Sequence, residues 1–255
     1  IERFQTCDIV YCFGEERHPM TAADCAFFLT AENGLPVQDE KGSFVLDEEA
    51  VTAYVQSLAE EYDGYGRTRQ FHSTRGDVIT IDGGTYGSKM DRKKETAYLL
   101  EHLLDPGVHT GTPQSHIPSY EREAFCYGKN DIGDTYIEVD MTEQKMYYYE
   151  KGVLKLETEI VTGNMRRRMG TPEGVNFVYN KQKNRVLRGP GYASPVKFWM
   201  PVKGGIGIHD AGWRKEFGGD IYQTAGSHGC INTPKDKMEE LFDCVQIGTP
   251  VVMFY

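Results

Sequence analysis

Residues 207–234 read GIHDAGWRKEFGGDIYQTAGSHGCINTP, a stretch that supplies one thiol and two imidazoles. Seventeen residues separate His209 from Ser227, after which His228 and Cys230 follow at once. The thiolate is the nucleophilic form of cysteine, yet its ordinary pKa of about 8.5 leaves only a few per cent of it at neutral pH. A nearby imidazole can accept the thiol proton and later give it to a leaving amine. The stretch therefore predicts Cys230 as the nucleophile of an acyl transfer.

The residues around the thiol predict a tight loop. Glycine at position 229 lets the backbone fold closely, so that the main-chain N–H groups of Gly229 and Cys230 can both point at a developing oxyanion. His228 and Cys230 lie on the same side of an extended or turning backbone, so spacing alone favours neither imidazole as the base. Ser227 and Asn232 flank the loop and are expected to support its two sides.

A helix is predicted to begin directly after this loop. Thr233 is the expected N-cap residue, with Pro234 at the first helical position and Asp236 three residues after the cap. Apolar side chains then recur at helical spacing at Met238, Leu241, Phe242 and Val245. Because the N-terminal end of a helix carries partial positive charge, it is expected to favour the thiolate of Cys230.

The chain before the loop alternates between apolar and charged residues, which is typical of half-buried strands. The apolar residues are Ile137, Val139 and Met141 and, after a turn, Leu154, Leu156 and Ile160. Glu138 and Asp140 fall between members of the first set, so one face of that strand is expected to be buried and the other solvated. Further short strands, one helix and a closing strand at residues 251–254 predict a mainly β domain.

These motifs are similar to those of the L,D-transpeptidases, whose YkuD-type catalytic domain crosslinks bacterial peptidoglycan. The resemblance is carried by residues 135–140, 161–164, 170–174, 194–201, 209–214, 227–232 and 248–252. It implies a β-sandwich catalytic domain that needs neither a metal nor another cofactor. It also assigns the base to His209, with the main-chain carbonyl of Asp210 orienting the ring. His228 then becomes a hydrogen-bonding partner that shapes the cysteine loop.

The same resemblance implies the substrates and the inhibitors. The donor is a peptidoglycan stem tetrapeptide, cleaved between its third residue and its terminal D-alanine. The acceptor is the side-chain amine of a second stem, so the crosslink joins two third residues. Carbapenem β-lactams are expected to acylate the cysteine. Trp213, Trp199 and Tyr192 are expected to wall the substrate cleft, although a place in the core is equally open to Trp199.

The first half of the chain predicts an α+β domain. Helix N-caps are expected at Thr21, Asp47 and Asp91, each followed by apolar residues, and residues 65–84 alternate as strands do. Several motifs here, among them residues 83–87, resemble the peptidoglycan-binding domain that often precedes a YkuD domain. The resemblance implies wall binding or presentation of the substrate strand, while a plain spacer stays open.

Composition places the domain limits. Glycine, proline, serine and threonine become frequent at residues 107–130, where prolines break any helix. We place a peptidoglycan-binding domain at residues 1–122, a linker at 123–133 and the catalytic domain at 134–255.

Charge and hydropathy limit the partners. The net charge of −10 arises entirely before residue 131, because the later residues hold 16 basic and 16 acidic side chains. Such a chain is not expected to bind nucleic acid. It has no apolar run long enough to span a membrane. Since the chain opens on Ile1 rather than Met, any export signal or anchor is expected upstream. Its place is expected outside the cell, in the wall or at the outer face of the bacterial membrane.

Other interpretations stay open at this point. A zinc site could use His209, Asp210, His228 and Cys230. A papain-like peptidase would usually place its cysteine before its histidine, which is the reverse of the order here. A wall-binding module without activity is a further alternative. The sequence also leaves open whether an amine or water resolves the thioester, so an L,D-carboxypeptidase remains possible.

Overall fold

A computed structural model describes residues 6–189 and 191–255, with the side chain of Tyr192 outside the described part. These residues form two compact units. The first unit comprises residues 6–65 and 87–131, and the second comprises residues 66–86 and 132–255. The predicted domain limits remain a prediction, and the units differ from them because the segment 66–86 lies within the second unit.

Strands and helices are labelled in chain order. Those before residue 131 are β1 (Ile9–Phe13), β2 (Glu16–Pro19), α1 (Ala22–Phe27), β3 (Ala31–Glu32), β4 (Leu35–Pro36), α2 (Glu48–Tyr62), β5 (Arg69–His72), β6 (Val78–Ile81), β7 (Lys89–Met90), α3 (Arg92–His102), β8 (Gln114–His116) and β9 (Tyr120–Arg122). Those after it are β10 (Tyr136–Asp140), β11 (Lys145–Glu150), β12 (Val153–Glu159), β13 (Gly174–Phe177), β14 (Gln182–Gly189), β15 (Tyr192–Lys203), β16 (Ile206–Asp210), α4 (Ile221–Ala225), β17 (Ile231–Thr233), α5 (Lys235–Cys244) and β18 (Pro250–Phe254). In the described part of the chain, no helix combines the length and apolar character that crossing a membrane requires.

The first unit is an α+β arrangement around one apolar core. Its main sheet has the order β2-β1-β8, with β1 antiparallel to β2 and parallel to β8. Strand β1 and the helices α2 and α3 bury side chains in the same cluster. The three predicted caps are confirmed. Thr21 and Asp24 form a capping box, and Asp47 and Asp91 each accept a main-chain N–H from the first turn of the helix that follows.

The second unit is a sandwich of two sheets. One sheet has the order β12-β11-β10-β18-β13, and the other has the order β14-β15-β16-β17. Both sheets and α5 contribute to a single apolar cluster, whose members include Ile137, Val139, Phe198, Ile208, Leu241 and Val251. The predicted fold class, an α+β region followed by a mainly β sandwich, is confirmed.

The predicted solvated face of β10 is wrong, because Glu138 and Asp140 are both fully buried. The β5-β6 hairpin covers that face. Thr74, in its turn, donates its main-chain N–H and its hydroxyl to the Glu138 carboxylate at 2.8 and 2.7 Å. Arg75 donates to both carboxylate oxygens of Asp140 at 3.2 Å. A segment distant in sequence thus supplies partners for carboxylates that a solvated strand face would expose.

Replacing Arg75 by glutamine is expected to destabilise the second unit by about 2 kcal/mol, because the buried Asp140 carboxylate loses its hydrogen bonds from a charged donor. The loss of stability is limited because the main-chain N–H groups of Thr142 and Glu143 still donate to the Asp140 carboxylate. Both tryptophans lie in the second unit, so urea unfolding followed by tryptophan fluorescence reports on it. The control is Arg166→Gln, which removes an exposed charge. An equal decrease in the free energy of unfolding for the two variants would contradict the prediction.

Candidate active site

The second sheet brings the histidine and the cysteine to one place. β16 and β17 are parallel, with His209 opposite Asn232. β15 runs antiparallel to β16 on its other side, with Trp199 opposite His209. Residues that are directly opposite on neighbouring strands share a face of the sheet. Cys230 immediately precedes β17 and lines the same pocket as His209 and Asn232.

The loop that ends at Cys230 is held by two hydroxyl groups. The Ser227 hydroxyl donates to the carbonyl of Cys230 at 2.6 Å and accepts the main-chain N–H of Gly229 at 3.0 Å. The Thr171 hydroxyl donates to the carbonyl of Gly229 at 2.8 Å. Gly229 has a φ of +111°, which lies in the left-handed region that favours glycine. The position of the thiol therefore depends on a serine, a threonine and a glycine.

Replacing Gly229 by alanine is expected to slow acylation of Cys230 at least tenfold, because the left-handed backbone costs an L residue about 1–3 kcal/mol. The methyl group itself finds room, with Ile206 nearest at 3.4 Å, so the effect is conformational. Gly212→Ala is the matched control, since nothing lies within 4 Å of its added methyl group. Intact-mass measurement of β-lactam adducts over time gives the rates. Equal rates for the two variants would contradict the prediction.

One of the two predicted oxyanion donors is already engaged. The sequence predicts that the N–H groups of Gly229 and Cys230 both point at an oxyanion, but that of Gly229 donates to Ser227. The main-chain N–H of Cys230 donates to no protein atom within residues 6–189 and 191–255. Of the two predicted donors, the N–H of Cys230 is therefore the one that remains for an oxyanion.

The helix after the cysteine begins later than the sequence predicts. α5 starts at Lys235, and its N-cap residue Pro234 provides no side-chain hydrogen bond. Thr233 lies in β17 opposite Asp210, and its carbonyl accepts the N–H of Ala211 at 3.0 Å. The predicted cap at Thr233 is wrong because strand pairing uses this residue.

The predicted stabilisation of the thiolate is wrong as well. Burial raises the pKa of Cys230 above its ordinary value, and a main-chain hydrogen bond with Gly207 offsets this only in part. The sulfur lies 3.8 Å from the carbonyl oxygen of Gly205, to which the thiol donates. β17 lies between the cysteine and the N-terminal end of α5. Because burial raises the pKa of the sulfur, the resting group at neutral pH is a thiol.

His209 is buried, with 4% of its surface exposed. Its Nδ1 lies 2.9 Å from the carbonyl oxygen of Asp210. The ring centroids of Trp199 and Trp213 each lie 5.9 Å from that of the imidazole. Burial lowers the pKa of His209 below its ordinary value of 6.5, and the hydrogen bond to the Asp210 carbonyl offsets this only in part. The imidazole is therefore neutral at pH 7 and can accept the thiol proton.

Cys230 lines two pockets. The first has a volume of about 210 Å³, and its other lining residues include His209, His228, Trp213, Arg214 and Asn232. The second has a volume of about 400 Å³, and its other lining residues include Tyr179, Arg185, Arg188, Trp199 and Gly205. A thiol that faces two pockets can be reached by two different molecules.

The predicted cleft residues have different surroundings. Trp213 is 52% exposed and lines the first pocket, whereas Trp199 is buried beside the second. The side chain of Tyr192 lies outside the described part of the structure. His228 is exposed and lines the first pocket together with Cys230. The structure thus brings both imidazoles to the pocket of the thiol, and only that of His209 is buried.

The zinc alternative has no ligand cluster to support it. The Asp210 carboxylate accepts the main-chain N–H of Phe198 at 2.7 Å. Across the described residues, no three His, Cys, Asp or Glu side chains are grouped so that they could hold a metal ion.

Two residues of the site were missed by sequence reasoning. Arg214 donates from Nε to Asn232 Oδ1 and from Nη2 to the carbonyl of Ala225, both at 2.8 Å. It thereby ties the segment after His209 to both sides of the cysteine loop. Thr171, which holds Gly229, is the other. Both are polar residues within stretches that resemble the family, at residues 209–214 and 170–174, and this position was the only feature of the sequence that pointed to them.

A thiol, a buried neutral imidazole and a main-chain N–H lie beside one pocket, and this is the set of groups found in enzymes that act through an acylated cysteine. Residues 134–253 match the family model described as "L,D-transpeptidase catalytic domain" (YkuD), and residues 31–107 match the "Putative peptidoglycan binding domain". None of the curated proteins compared matches the chain.

Solved structures extend the match to the whole chain. A cysteine-to-serine mutant of the Enterococcus faecium L,D-transpeptidase is 35% identical, with 99% of this chain and 97% of that chain covered and a TM-score of 0.84. The Ldtfm-avibactam carbamoyl enzyme is 35% identical, with 100% and 96% covered and a TM-score of 0.85. The chain belongs to the L,D-transpeptidase family, which confirms the predicted family and enzyme class.

Proposed function

We propose that this L,D-transpeptidase transfers a peptidoglycan stem peptide through a thioester on Cys230. His209 takes the thiol proton as the sulfur attacks the carbonyl between the third residue of a stem tetrapeptide and its D-alanine. The N–H of Cys230 stabilises the oxyanion, and His209 protonates the departing D-alanine. The side-chain amine of a second stem then attacks the thioester, and the crosslink joins two third residues.

The observation that carries this proposal is that Cys230 faces two pockets, of which His209 lines the first. The leaving amine receives its proton from the base and the attacking amine gives one to it. By microscopic reversibility both amines therefore occupy the first pocket. The acyl part of the donor stem then occupies the second pocket. Its described lining residues include Arg185 and Arg188 and no acidic side chain, which suits a peptide that carries carboxylates.

Filling the second pocket is expected to block the donor. Gly205→Phe should slow acylation by a stem tetrapeptide at least tenfold, while alkylation by iodoacetamide stays within about threefold because a small reagent needs only the thiol. Nothing lies within 4 Å of a β-carbon at Gly205, so the ring can enter the pocket. Gly212→Phe is the control, at a glycine with the same free space that lines neither pocket. Wild-type peptide acylation in Gly205→Phe would contradict the assignment.

The test of the function itself is analysis of the products. The full chain is incubated with a stem tetrapeptide as donor and a stem tripeptide as acceptor, and the products are separated and weighed by mass spectrometry. A crosslinked peptide that has lost one D-alanine supports transfer to an amine. Release of tripeptide alone would indicate an L,D-carboxypeptidase, in which water resolves the thioester. The donor stem uses both pockets in either reaction, so the products are what distinguish transfer to an amine from hydrolysis.

We also propose that carbapenems acylate Cys230. The similar Ldtfm structure is an avibactam carbamoyl enzyme. A thiol that attacks a peptide carbonyl can also open a strained β-lactam ring, which leaves an acyl group on the sulfur. The expected carbapenem adduct is a single one, on Cys230 among the six cysteines of the chain.

We propose that the chain acts at the cell wall, with the first half binding peptidoglycan. Support comes from the match of residues 31–107 to a peptidoglycan-binding family and from the substrate of the catalytic half. Since the substrate lies outside the cell, so does the proposed place of action. Co-sedimentation of the full chain with insoluble peptidoglycan is expected, and its absence would favour a spacer role.

A further inference from the structure

A chain of hydrogen bonds ends on the imidazole of His209. Arg214 Nε donates to Asn232 Oδ1 at 2.8 Å, and Asn232 Nδ2 lies 3.1 Å from His209 Nε2. The other ring nitrogen, Nδ1, lies 2.9 Å from the carbonyl oxygen of Asp210. Asn232 is 2% exposed, and its main chain is fixed by two hydrogen bonds of 2.9 Å to Val161. The amide therefore has little freedom to leave the ring.

The chemistry of these groups fixes the position of each hydrogen. A guanidinium only donates, so Asn232 must present its oxygen to Arg214 and its NH₂ group to His209. An amide NH₂ group only donates, so Nε2 of His209 must carry the lone pair. A carbonyl only accepts, so Nδ1 must carry the hydrogen. The Arg214 guanidinium at one end of this series of hydrogen bonds and the Asp210 carbonyl at the other thus require the same neutral tautomer of His209.

This arrangement opposes protonation of the base. A proton on Nε2 would face the NH₂ group of Asn232, which places two donors against each other. His209 can therefore take up a proton only if its hydrogen bond to Asn232 breaks. The other titratable or charged groups that face the imidazole are Asp210, Arg214, His228 and Cys230.

We propose that Arg214 and Asn232 are positioning residues, which set the tautomer of His209 and keep its Nε2 unprotonated until the thiol proton is transferred. The proposal rests on the role of His209 as the base in the proposed function. The imidazolium that forms during attack lacks an acceptor at Asn232, so it gives its proton readily to the departing amine. Arg214 acts through Asn232 because it fixes which end of the amide meets the ring.

Asn232→Asp gives the sharpest test. A carboxylate only accepts, and the Arg214 charge keeps it ionised, so it stabilises a protonated Nε2. We expect the pKa of His209 to rise by at least about one unit. The measurement is ¹⁵N imidazole NMR of the full chain, assigned by comparison with His209→Gln. The rate of carbapenem acylation falls at low pH as His209 becomes protonated, and the midpoint of this fall should move to higher pH by the same amount. An unchanged pKa in folded protein would overturn the proposal.

Two variants of Arg214 keep the proposal testable if Asn232→Asp does not fold. Lysine still only donates, so Arg214→Lys should keep the wild-type ¹⁵N shifts of His209. Glutamine can donate or accept, so in Arg214→Gln the Asn232 amide can present its oxygen to Nε2, which should raise the pKa of His209 and change its ¹⁵N shifts. Slower acylation in Arg214→Gln with wild-type shifts would indicate a merely structural role and overturn the proposal. Failure of the proposed function would show separately, as a wild type that forms no adduct.

Discussion

Cys230→Ala is expected to abolish crosslinking, with turnover lowered at least about 10⁴-fold. Without the sulfur no thioester can form. The neighbouring Ser227 hydroxyl does not replace it, because that group donates to the carbonyl of residue 230 at 2.6 Å and accepts the N–H of Gly229. The rate at which a crosslinked peptide accumulates from stem tetrapeptide and tripeptide measures the effect.

The matched control is a cysteine of the same unit. Cys244 lies at the end of α5, is exposed and lines neither pocket of Cys230. Cys244→Ala is therefore expected to keep the wild-type rate. Crosslinking that survives in Cys230→Ala would contradict the assignment of the nucleophile.

His209→Ala is expected to slow acylation of Cys230 about 10³-fold at pH 7, within the range found when a general base is removed. Burial raises the pKa of the thiol, so little thiolate forms without a base. In the variant, acylation should rise about tenfold per pH unit up to the pKa of the thiol, because solvent must remove the proton. In the wild type it should be level above the pKa of His209, which lies below 6.5.

His228→Ala is the comparison that separates the two imidazoles. His228 is exposed, whereas His209 is buried and its Nδ1 is held by a carbonyl. A loss of about tenfold or less is expected for His228→Ala, because it removes support for the loop but leaves the base. A larger loss for His228→Ala than for His209→Ala would reverse the assignment.

Local signals predicted the parts of the molecule that depend on neighbouring residues. The caps at Thr21, Asp47 and Asp91 are confirmed because a helix N-terminus needs a side-chain acceptor close in sequence. The grouping of His209 with Cys230 was also within reach, since one connected segment supplies both. Their roles remain proposals, as do those of the other predicted site residues.

Long-range packing explains what the sequence did not show. The alternation of apolar and acidic residues in β10 predicted a solvated face, because Glu138 and Asp140 are residue types that are usually exposed. Their partners Thr74 and Arg75 lie more than sixty residues earlier, and no local pattern links them. The same holds for Thr233, whose pairing with β16 overrides its capping propensity.

The electrostatic state of the site was the least predictable feature. The pKa of Cys230 depends on how much protein surrounds the sulfur, and burial there acts against the expected effect of a helix end. The bond between Asn232 and His209 depends on the register of β16 and β17 and on Arg214. A motif identifies such residues as neighbours in sequence but does not show which atoms meet.

The most direct test of the account is the mass of the enzyme itself after brief incubation with a stem tetrapeptide and an acid quench. The account predicts an increase equal to the mass of the tetrapeptide less one alanine, since the sulfur replaces the D-alanine nitrogen on the carbonyl. Peptide mapping should place this increase on Cys230, and it should be absent from Cys230→Ala. An enzyme that forms crosslinks without passing through this adduct, or that carries it on another residue, would contradict the account.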